Sequence, residues 1–438
     1  MIRNVMAAAV AAAFAAPAGA LAQDSEPTSA AYSAKPLTTE AAFNPAISLI
    51  LDGKYRHLGK DPESYTIGGF LPPGGGHGEE EGHGLAHGFG PGEKGFGIDE
   101  SELTISANID PYFTGYFTAG ISGEDEIEIE EAFIQNSGYL PGTTIKFGRF
   151  FSAFGYQNEQ HAHSWDFVDL PLVHQAFFGG NLADDGLQLR YVAPTPIFLE
   201  FGVEGGRGAN FPGSEREKNG FNSGAAFVHV GGDVGFSNSY RFGASFRQTR
   251  AAERHYEGEG LGLEADPEAE VELLAVESKM WGVDFVWKWA LNGDPSKRNF
   301  KFQAEYFQSK EDGDLEIVGD PLGAALDDEG AFSSKKKGWY AQAVYQFMPR
   351  WRAGVRYDEL HSGSFDFVGA DGNYTSTDLE QLRSHKPKRT SAMIDFSPSE
   401  FSRFRVQFSR DEARFDEKDN QIFVQYIMSL GAHGAHRF

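Results

Sequence analysis

Three features are scarce or missing in this 438-residue sequence, and each absence excludes a class of protein. The sequence contains no cysteine, so neither a disulfide framework nor a thiolate metal site can exist. After the first 22 residues, no apolar run approaches the length of about 18 residues that a membrane-spanning helix needs. Basic residues are outnumbered 38 to 63, and the net charge of −25 argues against nucleic acid or an anionic lipid surface as a partner.

The N-terminus has the pattern of an export signal. Residues 1–22 read MIRNVMAAAVAAAFAAPAGALA, in which Arg3 supplies a positive charge, an alanine-rich stretch follows, and Ala20-Leu21-Ala22 provides a cleavage site. We therefore predict a signal peptide over 1–22 and a periplasmic segment over 23–42. A lone N-terminal anchor is the alternative interpretation of the same stretch.

Alternation of apolar and polar residues dominates the rest of the chain and indicates β-strands. In SRFRVQFSR, for example, Phe404, Val406 and Phe408 share one face while arginines, glutamine and serine share the other. The pattern predicts an all-β protein with sixteen strands, at 47–56, 98–108, 111–122, 126–139, 143–154, 186–194, 196–206, 224–237, 239–250, 279–291, 298–310, 337–348, 350–361, 389–399, 402–412 and 420–430.

The connections between these strands alternate in length, which indicates a barrel with turns at one rim and loops at the other. Long polar segments occur near 57–97, 155–185, 207–223, 251–278, 311–336 and 362–388, and most of the other connections are short turns. A sheet in hydrocarbon must close on itself because every backbone N–H and C=O needs a partner. We therefore predict an antiparallel transmembrane barrel over 43–438, with an aqueous lumen and aromatic residues near the strand ends. A secreted β-sandwich or a soluble β-helix is the alternative.

Two stretches carry a resemblance to a known family. The chain ends on the alternating segment QIFVQYIMSLGAHGAHRF, and residues 143–160 read TTIKFGRFFSAFGYQNEQ. With its strand count, the sequence resembles the sixteen-stranded outer-membrane porins of Gram-negative bacteria, loosely including the phosphate-selective branch. The loop that follows residue 154 carries no lysine, which argues against phosphate as the solute.

The resemblance implies a location and a set of partners. A porin lies in the bacterial outer membrane in contact with its lipid, forms a homotrimer, and lets small hydrophilic solutes or ions diffuse passively. Phe438 would be part of the signal read by the barrel-assembly machinery. The third long connection of a porin folds into the barrel and narrows it.

Residues 155–185 are the candidate for that constriction loop, because they form the third connection at the loop rim when the short one at 123–125 is counted as the second. The segment is rich in aromatic residues, which are costly in water as one patch, and also carries Glu159, Asp166 and Asp169. We predict that these carboxylates face a row of lumen arginines across a narrow aqueous gap, where rings of charge set selectivity. The arginines are Arg352, Arg356, Arg403 and Arg405. The alternative is that they pair with wall carboxylates such as Asp358 and Asp395 and only brace the wall.

Two groups of histidines are candidate metal ligands. His77, His83 and His87 lie in the Gly/Glu-rich loop 57–97, and His161 and His163 lie in the constriction loop. Imidazole with carboxylate suits Zn²⁺ and similar ions. No cofactor is expected beyond weak divalent metal binding, and a metal-uptake channel is the alternative function. An ordinary hydrophilic loop and loop hydrogen bonding are the plainer interpretations.

Two further classes are not expected. The sequence has neither a G-x-S-x-G nor an H-E-x-x-H motif, so we predict no enzyme. The roughly 24 residues between the cleavage site and the first strand are too few for the plug of an energy-coupled receptor, whose barrels are also larger.

Overall fold

The chain forms a single closed antiparallel sheet. The computed structural model describes residues 45–73, 89–98, 100–121, 127–137, 140–214, 219–264, 266–319 and 326–431. The last strand pairs with the first along ten residues, from Ser48 opposite Gly431 to His57 opposite Ile422. No sheet edge is therefore left at this seam, as a barrel in lipid requires. The predicted signal peptide, His77, His83, His87 and Phe438 lie outside the described residues.

Eighteen strand segments make up the sixteen strands of the barrel. Segments β2 and β3 follow one another along β1, and β10 and β11 follow one another along β12. The segments are β1 Ala46–His57, β2 Gly95–Ile98, β3 Ser101–Asn108, β4 Phe113–Ile121, β5 Ile127–Ser137, β6 Thr143–Phe151, β7 Ala183–Val192, β8 Phe198–Gly206, β9 Ser223–Val234, β10 Asn238–Arg250, β11 Glu253–Glu257, β12 Glu270–Ala290, β13 Asn299–Val318, β14 Asp328–Met348, β15 Trp351–Phe367, β16 Lys388–Ser399, β17 Ser402–Glu412 and β18 Asp419–Gly431.

Helical structure is short. Within the described residues, the α-helices are α1 Leu172–Phe178 and α2 Gly258–Leu261, and the 3₁₀ turns are Gln157–Glu159, Ala162–Ser164, Leu291–Gly293 and Glu380–Leu382. In the described part of the chain, no helix has both the length and the apolar character needed to span a bilayer.

The predicted alternation is confirmed along the strands. In β18, Ile422, Val424 and Tyr426 are exposed on the outer surface, whereas Gln421 and Gln425 are buried on the lumen side. Every predicted strand is present, so the all-β barrel is confirmed. The exposed outer residues provide the apolar surface that contacts lipid.

Four strands are much longer than the sequence analysis predicted. Strands β12, β13 and β14 have 20 or 21 residues and β15 has 17. With β11, they make half of the predicted loop 251–278, most of 311–336 and part of 362–388 strand. The prediction was wrong there because the pattern reverses. In the membrane part the apolar residues point outward; beyond it Val271 and Leu273 point inward while Glu270 and Glu272 face water.

Bulges produce this reversal in β12 and β15, whereas β13 and β14 keep the same inward face and only its composition changes. Between Leu274 and Glu277 the pairing of β12 with β13 shifts, and Ala275 adopts a positive φ of 49°. One extra residue exchanges the two faces of a strand, since the side chains alternate with period two. Gly363, with φ 66°, marks the corresponding shift in β15. The inverted faces bury an apolar cluster above the lumen, which includes Leu261, Leu315, Ile317, Phe332, Phe367, Leu379 and Leu382.

Candidate constriction site

The connection between β6 and β7, residues 152–182, folds into the barrel; we call it the inner loop. Its two ends are tied together by one side chain: Asn158 donates to the carbonyls of Ser152 (2.8 Å) and Leu182 (2.9 Å), and its oxygen accepts from the Leu182 amide. Strand β7 begins at Ala183, so Asp184 and Asp185 belong to the barrel wall and not to the predicted loop. The inward course of the third connection is thereby confirmed.

Apolar packing holds one end of the inner loop against β12–β15. Helix α1 begins after Pro171 and ends at Gly179, which takes the left-handed conformation (φ 75°) that favours glycine. Its fully buried face packs with Phe154 against wall side chains of the longest strands. The members of this cluster include Leu172, Val173, Phe177, Phe178, Met280, Phe307, Tyr340 and Leu360. The aromatic residues that would be costly in water are therefore buried in the lumen.

A buried carboxylate fixes the start of the loop to the same wall. Glu305 of β13 accepts hydrogen bonds from the amide of Gln157 at 2.8 Å and from the amide of Tyr156, and its second oxygen lies 2.7 Å from Nε2 of His174. Glu305 and His174 have no exposed side-chain surface. A charged hydrogen bond in such a site is stronger than one in water and is costly to leave unmade.

The two predicted loop aspartates contact the basic wall directly. Asp166 lies 3.0 Å from both the Lys301 ammonium and an Arg352 nitrogen. Asp169 pairs with Arg356 at 3.0 Å and with Arg389 at 2.9 Å. Burial alone would raise the pKa of both carboxyls, but the paired cations hold the pKa of Asp166 and of Asp169 below its ordinary value.

The predicted aqueous gap between these aspartates and the arginines is not what the structure shows, because the loop is long enough to reach the wall. The alternative pairing also occurs, since Arg352 bonds Asp395 and Arg356 bonds Asp358 at 3.0 Å. Arg405 shares Asp395 at 3.3 Å. We call this network the basic wall. It consists of the loop aspartates Asp166 and Asp169 with Lys301, Arg352, Arg356, Asp358, Arg389, Asp395, Arg403 and Arg405 of β13–β17.

Three of the predicted arginines also hold the loop backbone, and Arg356 does so by donating to the Asp169 carbonyl at 2.7 Å. Arg403 donates to the His163 carbonyl at 2.7 Å, and Arg405 donates to the Trp165 carbonyl at 2.9 Å. Within the described stretches of chain, no carboxylate forms an ion pair with Arg403. Glu159 lies elsewhere: it pairs with Arg190 of β7, and Arg241 of β10 lies 3.9 Å away. The structure thus brings six of the seven predicted constriction residues together.

Away from the basic wall, the inner-loop residues His161 and His163 contact glutamates of β3 and β5. His161 Nδ1 lies 2.8 Å from Glu130, its Nε2 lies 3.0 Å from Glu131, and His163 Nδ1 lies 2.8 Å from Glu102. We call these five residues the acidic wall. The two walls lie on either side of loop residues 161–166.

Several residues of both walls escaped the sequence analysis. Arg389 and Lys301 are on lumen faces of predicted strands, so alternation alone would have found them. Glu102 lies at the start of β3, inside a predicted strand, so alternation could have identified it as well. Glu130 and Glu131 are consecutive, and alternation cannot place both on one face.

Comparison with known proteins decides the family. The model of the family described as phosphate-selective porin O and P matches residues 104–371, more than half of the chain. The chain belongs to this porin family. An uncharacterized protein of Aquifex aeolicus (strain VF5) is 30% identical over 429 residues, covering 93% of this chain and 82% of that protein.

Two solved structures are similar to this porin. The high-pH structure of Pseudomonas putida OprB has 13% identity and a TM-score of 0.50, covering 88% of this chain and 94% of that one. The anion-selective porin from Comamonas acidovorans has 10% identity and a TM-score of 0.48, covering 88% and 99%. Family and fold show a channel of the bacterial outer membrane for small solutes or ions, and they do not favour a metal-uptake channel.

The lumen of the porin is narrow at the level of the inner loop. Lumen-facing side chains all round the barrel are buried there, among them Asp52, Gln188, His229, Asp284, Gln303 and Ser409. A cavity of about 90 Å³ remains between the inner loop and residues 89–92 of the connection from β1 to β2. Its lining includes Lys54, Arg56, Trp165, Val168 and Phe423. Nearer the turns, the side chains of Lys301 and Arg352 are each 24% exposed, so water reaches the basic wall from that end.

Proposed function

We propose that this porin conducts small anions in preference to cations, and that the basic wall sets this preference. The supporting observation is the charge count around two shared carboxylates. Lys301, Arg352 and Arg405 share Asp166 and Asp395. With Arg403 added, cations outnumber carboxylates in this group.

The position of the group suits a selectivity filter. Arg352 and Arg403 each stand within three residues of a short turn, at 349–350 and 400–401, which places them at the periplasmic side of the barrel. Their partly exposed neighbours face water inside low-dielectric walls, where an uncompensated charge creates a focused field. Small anions are the solutes that such a field concentrates. Inorganic phosphate is the member that the family description suggests, and although the inner loop has no lysine, the wall supplies Lys301 and arginines to attract it.

Reversal potential in planar bilayers tests this proposal. Arg403→Gln and the double variant Arg403→Gln/Arg405→Gln are expected to lower the anion-to-cation permeability ratio, and the double variant should lower it more. Arg410→Gln is the matched control: it lies on the same strand, but its side chain is 52% exposed and pairs with Glu412 at 2.9 Å.

Two results decide the outcome. A permeability ratio unchanged in the double variant would refute the basic wall as the filter. Phosphate added to a KCl-filled channel should reduce the chloride current in the wild type and reduce it less in the double variant; if phosphate has the same effect on both, the wall does not bind this anion.

We also propose that the porin is a homotrimer that packs through the side formed by β2–β6. The strand segments there have 4 to 11 residues, whereas those on the side of β12–β15 have 17 to 21. Its outer surface carries highly exposed apolar residues, including Phe96, Ile127 and Phe147. Because the chain has no native cysteine, Ile127→Cys can be cross-linked specifically in detergent. Cross-linked oligomers are expected; a monomer at all concentrations would contradict the proposal.

Recognition of Phe438 by the assembly machinery stays a prediction.

A further inference from the structure

The acidic wall is built around a break in strand geometry. Thr118 of β4 pairs with Glu131, and the next residue, Ala119, pairs with Ile129, so Glu130 is left without a partner in the ladder. This bulge turns the consecutive residues Glu130 and Glu131 to the same side, where both are buried. Bulges that aim an extra side chain at one point are common beside functional sites.

Space is reserved for the extra side chain. A Cβ at Gly120 would lie 2.5 Å from Glu130 Oε1, so any other residue there would displace the carboxylate. Glu130 is 6% exposed and Glu102 is 1% exposed. Carboxylates are rarely buried to this extent unless they are paired or bind a metal.

One buried oxygen of this site lacks a hydrogen-bond donor. Among the residues that the structure describes, no donor reaches Oε2 of Glu102, whereas the Glu130 carboxylate also lies beside the side chain of Glu100. Leaving a buried charged acceptor without a donor costs free energy. His161 Nδ1 lies 3.5 Å from Glu102 Oε2, and one ligand atom each of Glu102, Glu130 and His161 lie within 4.8 Å of one another.

We propose that Glu102, Glu130 and His161 bind a divalent cation of the zinc class, resident between the inner loop and the barrel wall. One imidazole nitrogen with carboxylate oxygens is a ligand set that Zn²⁺ accepts. Metal–ligand bonds of about 2.0–2.2 Å place ligand atoms roughly 3–3.5 Å apart, so side-chain shifts of about an ångström complete the site.

The remaining residues of the acidic wall act as positioning residues. Glu131 accepts from Nε2–H of His161, which leaves Nδ1 with the lone pair that a metal needs. His163 bonds Oε1 of Glu102 and leaves Oε2 for the metal. A carboxylate behind a metal-binding histidine is the usual support for such a ligand.

The cation would also fix the porin's basic wall. Arg403 donates to the carbonyl of His163, two residues after His161. A metal at His161 therefore holds the segment against which the Arg403 guanidinium is placed. Removal of the metal is expected to increase current noise and to lower anion preference without unfolding the barrel.

Zinc titration of chelator-treated protein tests the proposal. By isothermal titration calorimetry with ZnCl₂ alone, we expect one site whose dissociation constant rises at least about 100-fold in Glu130→Gln and His161→Ala, and about 10- to 100-fold in Glu131→Gln. The triple variant His77→Ala/His83→Ala/His87→Ala removes the other histidine group and should keep this site. Single-channel conductance shows that each variant still forms the barrel.

A second measurement protects the test against a variant that does not fold. Anomalous diffraction from zinc-soaked crystals of the wild type should place the ion among Glu102, Glu130 and His161. The proposal is overturned if the ion lies elsewhere, if the wild type binds no zinc, or if binding is unchanged in Glu130→Gln and abolished in the triple histidine variant.

Discussion

The inner loop lies between two walls of opposite charge, and the two walls compensate their charge by different means. At the basic wall, Asp166 and Asp169 each contact two cations, and cations remain in excess around Asp166. At the acidic wall, two histidines contact three glutamates, and within the described residues no donor reaches Oε2 of Glu102.

Access to water distinguishes the two walls. Lys301 and Arg352 are partly exposed toward the periplasmic end, so a mobile anion can reach them and leave again. Glu102 is almost fully buried, so whatever neutralises it must stay. The same principle, that excess charge in a low-dielectric site attracts a counter-ion, therefore leads to selective passage at one wall and to a resident ion at the other.

The largest expected effect is the loss of a basic-wall carboxylate. Asp169→Asn leaves Arg356 and Arg389 with less compensation in a buried site, and removing one partner of a buried ion pair costs about 3–5 kcal/mol. We expect the free energy of unfolding, measured by urea titration of the refolded barrel with tryptophan fluorescence, to fall by about this amount.

The control for this variant is a second ion pair at the edge of the same loop. Asp185 pairs with Arg149 at 2.8 Å, but the two side chains are 41% and 37% exposed. Asp185→Asn should therefore cost about 0–1 kcal/mol. Equal losses in the two variants would contradict the view that burial gives the basic wall its strength.

An intermediate effect is expected on acidification. The folded-state pKa values of Asp166 and Asp169 lie below the unfolded value of about 3.9. Their contribution is therefore fully present above about pH 3.9 and is lost as the pH falls through the folded-state values. The urea midpoint should decline more steeply below about pH 3.9 in the wild type than in Asp169→Asn. Identical declines would show that these groups do not carry the acid sensitivity.

The smallest effect is expected at the acidic wall without metal. In chelator, Glu130→Gln removes a negative charge beside Glu102 and Glu131, so it relieves repulsion while weakening one bond to His161. The unfolding free energy should change by less than about 1 kcal/mol, or rise. A loss as large as that of Asp169→Asn would mean that His161 already balances this wall.

Much of the fold followed from local patterns. Alternation located every strand, and the resemblance to porins together with the aromatic residues of 155–185 indicated which connection turns inward. The four long strands were placed but cut short. In β12 and β15 a bulge at Ala275 or Gly363 exchanges the inner and outer faces, whereas β13 and β14 keep the same inward face and carry apolar residues on it beyond the membrane. A period-two pattern that reverses its phase resembles a polar loop when only one phase is followed.

The sequence by itself determined the closed barrel, its outward apolar surface and the opposition of loop aspartates to wall arginines, because these follow from the two-residue period of a strand and the need to pair every backbone group in lipid. Only the tertiary structure decided that the aspartates contact the arginines directly, and that Glu130 and Glu131 face the same histidine. Both depend on contacts between residues far apart in the chain and on a single bulge, neither of which leaves a periodic signal in the sequence.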